Sequence, residues 1–188
     1  DNFQEHPSPV VAHRTSPTNM GLSLLANLAA YDFGYLSARQ LIERTQNAFD
    51  TMEALERYQG HFYNWYDTRS LKPLRPLYIS SVDSGNLAGH LLTLRPGLLA
   101  LPDEKILGPR RFEGLGDTLK VLSEIAEAIP GMTTPVRLAK FTQLLMAATD
   151  SPPATLAAVS SCLEQLAASA EEVIAECAGL DADPESPL

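Results

Sequence analysis

Hydrophobic residues in this chain recur every three or four positions over six stretches, and proline, glycine and short polar residues break the pattern between them. Such spacing gathers apolar side chains on one face of a helix. Ser16-Pro17 supplies an N-cap and a first-turn proline, which predicts a helix to about Tyr31 with Leu22, Leu25, Ala26 and Ala29 inward. Gly34 is placed to end it. Ser37 to Gln40 is a capping-box pattern opening a second helix to about Tyr58, lined by Leu41, Ile42, Thr45, Phe49, Met52 and Leu55, with Gly60 suited to the left-handed position after it. Asp83 or Ser84 is expected to cap a third, which carries Leu87, Leu91, Leu94 and Leu98 and has Pro96 set to disturb its last turn.

Three more helices are predicted beyond a proline- and glycine-rich linker at 102–116. Asp117–Ile129 presents Leu119, Leu122, Ile125 and Ile129. A helix capped by Thr134-Pro135 runs to about Thr149 with Leu138, Phe141, Leu145 and Ala148 inward. The last starts at Ser151-Pro152-Pro153 and runs to about Ala178 through Leu156, Val159, Leu163, Leu166, Ala170, Val173 and Cys177. Elsewhere the pattern fails. His6-Pro7-Ser8-Pro9 favours an extended path. In the non-helical stretch 61–82, Tyr63–Thr68 and Leu77–Ser81 are expected to pair as a hairpin across a long loop with two prolines. The reading is all-α: an N-terminal part over 1–101, a linker, a small antiparallel three-helix bundle over 117–178, and a flexible tail at 179–188.

Composition sharpens this division. Of 13 aromatic residues, 11 lie before residue 79, so the first part is the recognition-type half and the second the scaffold-type half. The net charge of −9 argues against nucleic acid as a partner, since neutralising phosphates needs a basic face. Cys162 and Cys177 fall on one predicted helix about 22 Å apart, too far for a disulfide, and free thiols fit a reducing cytoplasm. No apolar run approaches a membrane span, and there is no signal-peptide layout. The start at Asp1 and the polar tail DADPESPL read as cuts in a longer polypeptide.

Candidate chemistry concentrates between residues 60 and 86. His61-Phe62-Tyr63-Asn64-Trp65-Tyr66-Asp67 sets flat rings beside amide and carboxylate groups, a combination suited to a sugar: rings stack on the pyranose face while Asn and Asp bind hydroxyls. The same residues equally describe aromatics plugging a small core beneath a loop. Trp65 and Tyr66 are the best stacking candidates, and Asn64, Asp67 and Asn86 the candidate hydrogen-bonding groups. His13, Arg14 and Asn19, around a helix start, make a donor-rich rim for hydroxyls or an anion, or else simply cap that helix. Asp67 and Asp83 are the only weak candidates for a catalytic carboxyl pair. Helix capping is the favoured role for Asp83 and substrate hydrogen bonding for Asp67, so no catalytic residue is assigned. No metal-ligand spacing, nucleophile elbow or phosphate-binding glycine loop occurs, and no metal or cofactor is expected.

Four blocks, DNFQEHP (1–7), VAHRTSPTNMGLSLLANLAAYDFGYL (11–36), GHFYNWYDTRSLKPL (60–74) and YISSVDSGNLAGHLL (78–92), resemble the glucoamylase-like part of the large bacterial cyclic β-1,2-glucan synthases, in order and spacing. Residues 102–188 resemble that family only as a variable helical insertion. The resemblance implies that 1–101 are the first helices of an (α/α) toroid or barrel, with 60–86 as a rim hairpin loop. It implies a parent that makes cyclic β-1,2-glucan from UDP-glucose at the cytoplasmic side of the inner membrane, closing the glucan by transglycosylation. The catalytic carboxylates would then lie in the absent half of the barrel. This fragment would contact β-1,2-glucan or a related oligosaccharide and the remaining domains of the parent chain, inactive alone. The competing reading is a helical scaffolding module with no sugar site, given to self-association through apolar faces.

Overall fold

Two helix starts fold as their sequences dictate. Ser16 is buried and its Oγ accepts from the Asn19 N–H at 3.3 Å, so α1 (Pro17–Asp32) begins on a capped turn with proline first. Ser37 opens α2 (Ala38–Ala54) with a complete capping box: its Oγ accepts from the Gln40 N–H at 3.2 Å, and the Gln40 Oε1 accepts from the Ser37 N–H at 2.8 Å. The computed structural model describes residues 2–104, 108, 110–128 and 136–180. It divides into two units, the first comprising 1–32 and 36–104, the second 33–35 and 105–188. The chain is all-α, with a few strands of two or three residues.

In the first unit β1 (Asn2–Gln4) and β2 (Val10–Ala12) pair antiparallel. The stretch from His6 to Pro9 therefore turns the chain back, contrary to the extended path expected of it. After β3 (Arg14–Thr15), α1 and α2 come β4 (Arg57–Tyr58), β5 (His61–Phe62), β6 (Tyr66–Asp67), α3 (Ser81–Ala100) and one 3-10 turn. Thr18 meets Asp83 and Asn86, Gly21 meets His90, and Leu28 meets Gly97, so α1 and α3 run parallel in register. Leu24, Met52, Leu87 and Leu94 form the core between the three helices, and Tyr31, Leu36 and Leu41 a second cluster.

Several boundaries differ from the sequence expectation. α2 stops at Ala54, short of Tyr58, because Leu55 leaves the helical region and the chain turns into the β4–β5 hairpin. Gln59 and Gly60 both have positive φ, 50° and 85°, so Gly60 serves this two-residue turn and not a helix end. The Arg57 guanidinium donates to the Met52 carbonyl at 3.0 Å and closes the C-terminus of α2. α3 is capped by Ser80, whose Oγ accepts from the Asp83 N–H at 3.1 Å, rather than by Asp83 or Ser84. α3 also runs past Pro96 to Ala100; the carbonyl left without its donor belongs to Leu92, on the exposed side, where water can satisfy it. On α1 the buried residues are Pro17, Gly21, Leu24 and Tyr31; of the expected face Leu25 packs partly buried against the core, whereas Leu22 and Ala26 are exposed. On α2 Ile42 is likewise exposed.

The second unit contains α4 (Arg110–Ala128), α5 (Val136–Asp150) and α6 (Leu156–Leu180). α4 begins inside the stretch read as a linker, and Thr155, not Ser151, caps α6 through its Oγ and the Ala158 N–H at 3.2 Å. The cap expected at Thr134-Pro135, Ile129 and residues 181–188 fall outside the described residues, while α6 runs to Leu180, two residues into the segment expected as a flexible tail. Lys140 meets Glu172 at 3.1 Å and the Arg137 N–H meets Glu176 at 3.3 Å, so α5 and α6 run antiparallel. Phe112, Leu119, Leu138, Phe141, Leu145, Ala148, Leu166 and Val173 make the core, whereas Leu122 and Ile125 on the expected α4 face are exposed.

Gly21 sets the α1–α3 spacing: a Cβ there would lie 2.3 Å from His90 Nδ1 and 2.8 Å from His90 Cβ. Gly21→Ala should destabilise the chain by about 1–3 kcal/mol in chemical denaturation. Gly85→Ala, where nothing lies within 4 Å, should stabilise it by about 0.5–1 kcal/mol. Equal effects would show that α1 and α3 do not meet through this notch.

Candidate functional site

The residues singled out between 60 and 86 are held by the segment just before α1. β3 pairs antiparallel with β6, Arg14 opposite Asp67 and Thr15 opposite Tyr66, and the Thr68 N–H donates to the His13 carbonyl at 3.1 Å. This replaces the hairpin expected between Tyr63–Thr68 and Leu77–Ser81. Those two arms share the bond from the Asn64 N–H to the Tyr78 carbonyl, 2.9 Å, while Leu74 folds back to bond Trp65 at 2.8 Å. The other edge of 66–67 is taken within the loop itself, where Tyr66 forms an antiparallel bridge with Pro73 and the Asp67 N–H donates to the Lys72 carbonyl at 2.9 Å, so the chain turns back before Leu77–Ser81 can pair there.

Asn64 is the centre of this arrangement. It is buried, and its neighbours dictate the orientation of its amide: the NH2 donates to Asp83 Oδ2 at 2.9 Å, and the oxygen accepts from the Tyr78 hydroxyl at 2.5 Å and from Trp65 Nε1 at 2.6 Å. Asp83 Oδ1 accepts from Thr18 Oγ1 at 2.6 Å, and that hydroxyl oxygen accepts from Asn86 Nδ2 at 3.1 Å. Burial pushes the Asp83 carboxyl up, but bonds from the hydroxyls of Thr18, Ser80 and Ser16 and from the Thr18 N–H outweigh it and hold the group below the usual carboxylate range. The half-buried Trp65 ring lies under Arg14, with the guanidinium carbon 5.1 Å from its centroid.

Asp67 closes its own turn. Its Oδ1 accepts from the Ser70 N–H at 2.7 Å, the Ser70 hydroxyl at 2.8 Å and the Arg69 N–H at 3.1 Å. The Ser70 N–H, then its hydroxyl, lower the Asp67 pKa. A glycosidic general acid must stay protonated near neutrality. Asp67 and Asp83 are both shifted the other way, so neither is prepared for that role.

The predicted residues thus separate. Asn64, Trp65, Asn86 and Arg14 gather with Asp83 around the helix starts. Asn19, Tyr66 and Asp67 line a cleft of about 380 Å³ with Thr15, Ser23 and Thr51 on its polar side and Met20, Met52 and Leu55 on its apolar side. His13 adjoins the cleft through its backbone bond to Thr68, whereas His61 is exposed on the β4–β5 hairpin. Two expectations need correction. Tyr66 is 0% exposed, with its hydroxyl accepting from the Tyr63 N–H and donating to the Glu56 carbonyl, each at 2.8 Å, so its ring faces are not free to stack on a sugar. Asn64 is buried, with one amide N–H bonded to Asp83 and its oxygen to Tyr78 and Trp65, and is a structural amide rather than a sugar ligand. Thr18, Tyr78 and Ser80 were not singled out individually, although Thr18 sits in the polar run at the start of α1.

No protein-family model matches the chain. It is 41% identical over 140 residues, 73% of its length, to the cyclic beta-(1,2)-glucan synthase NdvB of Rhizobium meliloti (strain 1021). That identity relates the chain to one part of this synthase. The chain spans about 5% of that synthase's length. Among the described residues, no helix is long and apolar enough to cross a membrane.

Because Asp83 has a lowered folded-state pKa, its contribution to stability is present above the unfolded carboxylate value of about 3.9 and is lost as pH falls through the folded value. Wild type should therefore exceed Asp83→Asn in stability by more at pH 7 than at pH 3, measured by urea denaturation. A difference that does not change with pH would contradict the network.

Proposed function

We propose that this chain supplies substrate-binding surface to a larger cyclic β-1,2-glucan synthase, holding linear β-1,2-glucan while residues outside the chain close it by transglycosylation. Sequence identity to a protein of that name supports the reading, and one structural observation carries it: segments 13–19 and 64–68, far apart in sequence, are brought together beside an open cleft and a half-buried tryptophan. The parallel α1 and α3, with α2 between them in the chain, match one step of an (α/α) toroid, which would place the 60–86 loop on its rim. In this reading residues 1–101 belong to the barrel and the C-terminal helices are an insertion. The two carboxyls near the site are both held ionised, which fits a binding role and not a complete acid/base pair. The parent would work at the cytoplasmic side of the inner membrane.

Purified chain should bind linear β-1,2-glucan oligosaccharides without turning them over. Trp65→Ala should weaken that binding at least tenfold, about 1.4 kcal/mol in calorimetry. Turnover by the chain alone, or undiminished binding by Trp65→Ala, would refute the reading.

A second reading draws on the second unit, where Leu122, Ile125 and Ile174 are exposed and an apolar groove of about 170 Å³ runs past Leu122 and Ile174. Under it these helices are a scaffold that self-associates. Ile125→Asp with Ile174→Asp should then lower the mass in sedimentation while glucan binding never appears. A monomer at all concentrations removes this reading.

A further inference from the structure

We infer that Asp83 is a positioning residue that fixes the Trp65 indole through the buried amide of Asn64. The inference rests on the glucan-binding reading only for its functional consequence; its structural content stands apart from that reading.

The polarity of the hydrogen bonds carries it. An ionised carboxylate can only accept, so it selects the NH2 face of Asn64, 2.9 Å from Asp83 Oδ2. The amide oxygen is thereby turned outward, and the indole N–H can only donate, so it meets that oxygen at 2.6 Å. Were the amide reversed, its NH2 could still donate to the Tyr78 hydroxyl, but it would face the Trp65 N–H donor and its oxygen would face a carboxylate. Only one orientation of Asn64 therefore satisfies both Asp83 and Trp65, and the carboxylate selects it. The carboxylate is itself fixed on the far side by Thr18 Oγ1 at 2.6 Å, and Ser80 anchors the backbone of the same residue at 3.1 Å. A rigid helix start is in this way coupled to the loop side chain. A fixed ring has less conformational freedom to lose on binding, so the coupling favours affinity without adding a contact to the ligand.

Trp65 is the only tryptophan, so its indole N–H gives one assignable resonance. In the wild-type chain that proton should exchange with solvent at least about tenfold slower than an unprotected indole, and iodide should quench the fluorescence weakly. Asp83→Ala and Asn64→Ala should each raise indole exchange at least about tenfold and quenching about twofold with the far-ultraviolet helix signal kept. Thr18→Val, which removes the hydroxyl holding the carboxylate, should do the same more weakly and serves if the alanine variants do not fold. Leu94→Ala, a destabilising change away from the relay, should leave indole protection in place, which separates positioning from general loosening. Glucan affinity should fall with Asp83→Ala. An indole unprotected in wild type, or still protected in a folded Asp83→Ala or Thr18→Val, overturns the inference. If the indole responds as described but wild type binds no β-1,2-glucan, the positioning stands and the glucan reading falls.

Discussion

The packing of α1 on α3 in the first unit depends on the missing side chain of Gly21. Because α1 carries no Cβ there, His90 of α3 seats directly against its backbone, and Gly97 receives Leu28 in the same way further along. Interiors are packed densely enough that such notches set interhelical distance and register together. Once that register is set, Thr18 faces Asp83 and Asn86 at the N-terminal ends of both helices. The apolar contact below therefore positions the polar contact above.

That polar contact is costly to bury and is almost fully satisfied. A buried amide and a partly desolvated carboxylate would each destabilise the fold if left unpaired, by about 1–3 kcal/mol for a neutral group. Here Asn64 makes three side-chain bonds, and Asp83 accepts from the Thr18 hydroxyl at Oδ1 and from the Asn64 amide at Oδ2. Such a network rigidifies what it holds, and it holds a loop that has almost no regular structure of its own. The β3–β6 ladder and the Asp67 turn complete the attachment. The result is an aromatic loop fixed from two sides next to a cleft, the arrangement expected of a binding surface carried by a helical frame.

How much of this was legible in the sequence depended on the range of the forces involved. Caps were readable at Ser16 and Ser37 because a cap is decided within four residues. The inward faces of α3 and α5 were readable because leucine periodicity there coincides with burial. The α1 face was readable only at Leu25: Gly21 creates the main contact, and hydrophobicity cannot mark a residue that matters for being small. The β3–β6 pairing was hidden for a related reason, since it joins two-residue strands about fifty residues apart with no alternation to reveal them. For the site, composition found the right segments but not the division of labour. Asn64 and Tyr66 look like ligand-binding residues in sequence, and tertiary hydrogen bonds turn both inward. Trp65, between them, keeps part of its surface.

Segments 13–19 and 64–68 are proposed to form one sugar-binding surface, and backbone amide resonances of the chain titrated with linear β-1,2-glucan oligosaccharides test this. Saturable shifts confined to those two segments and the neighbouring start of α3 are the predicted result. No shifts at millimolar sugar, or shifts confined to 136–176, would contradict it.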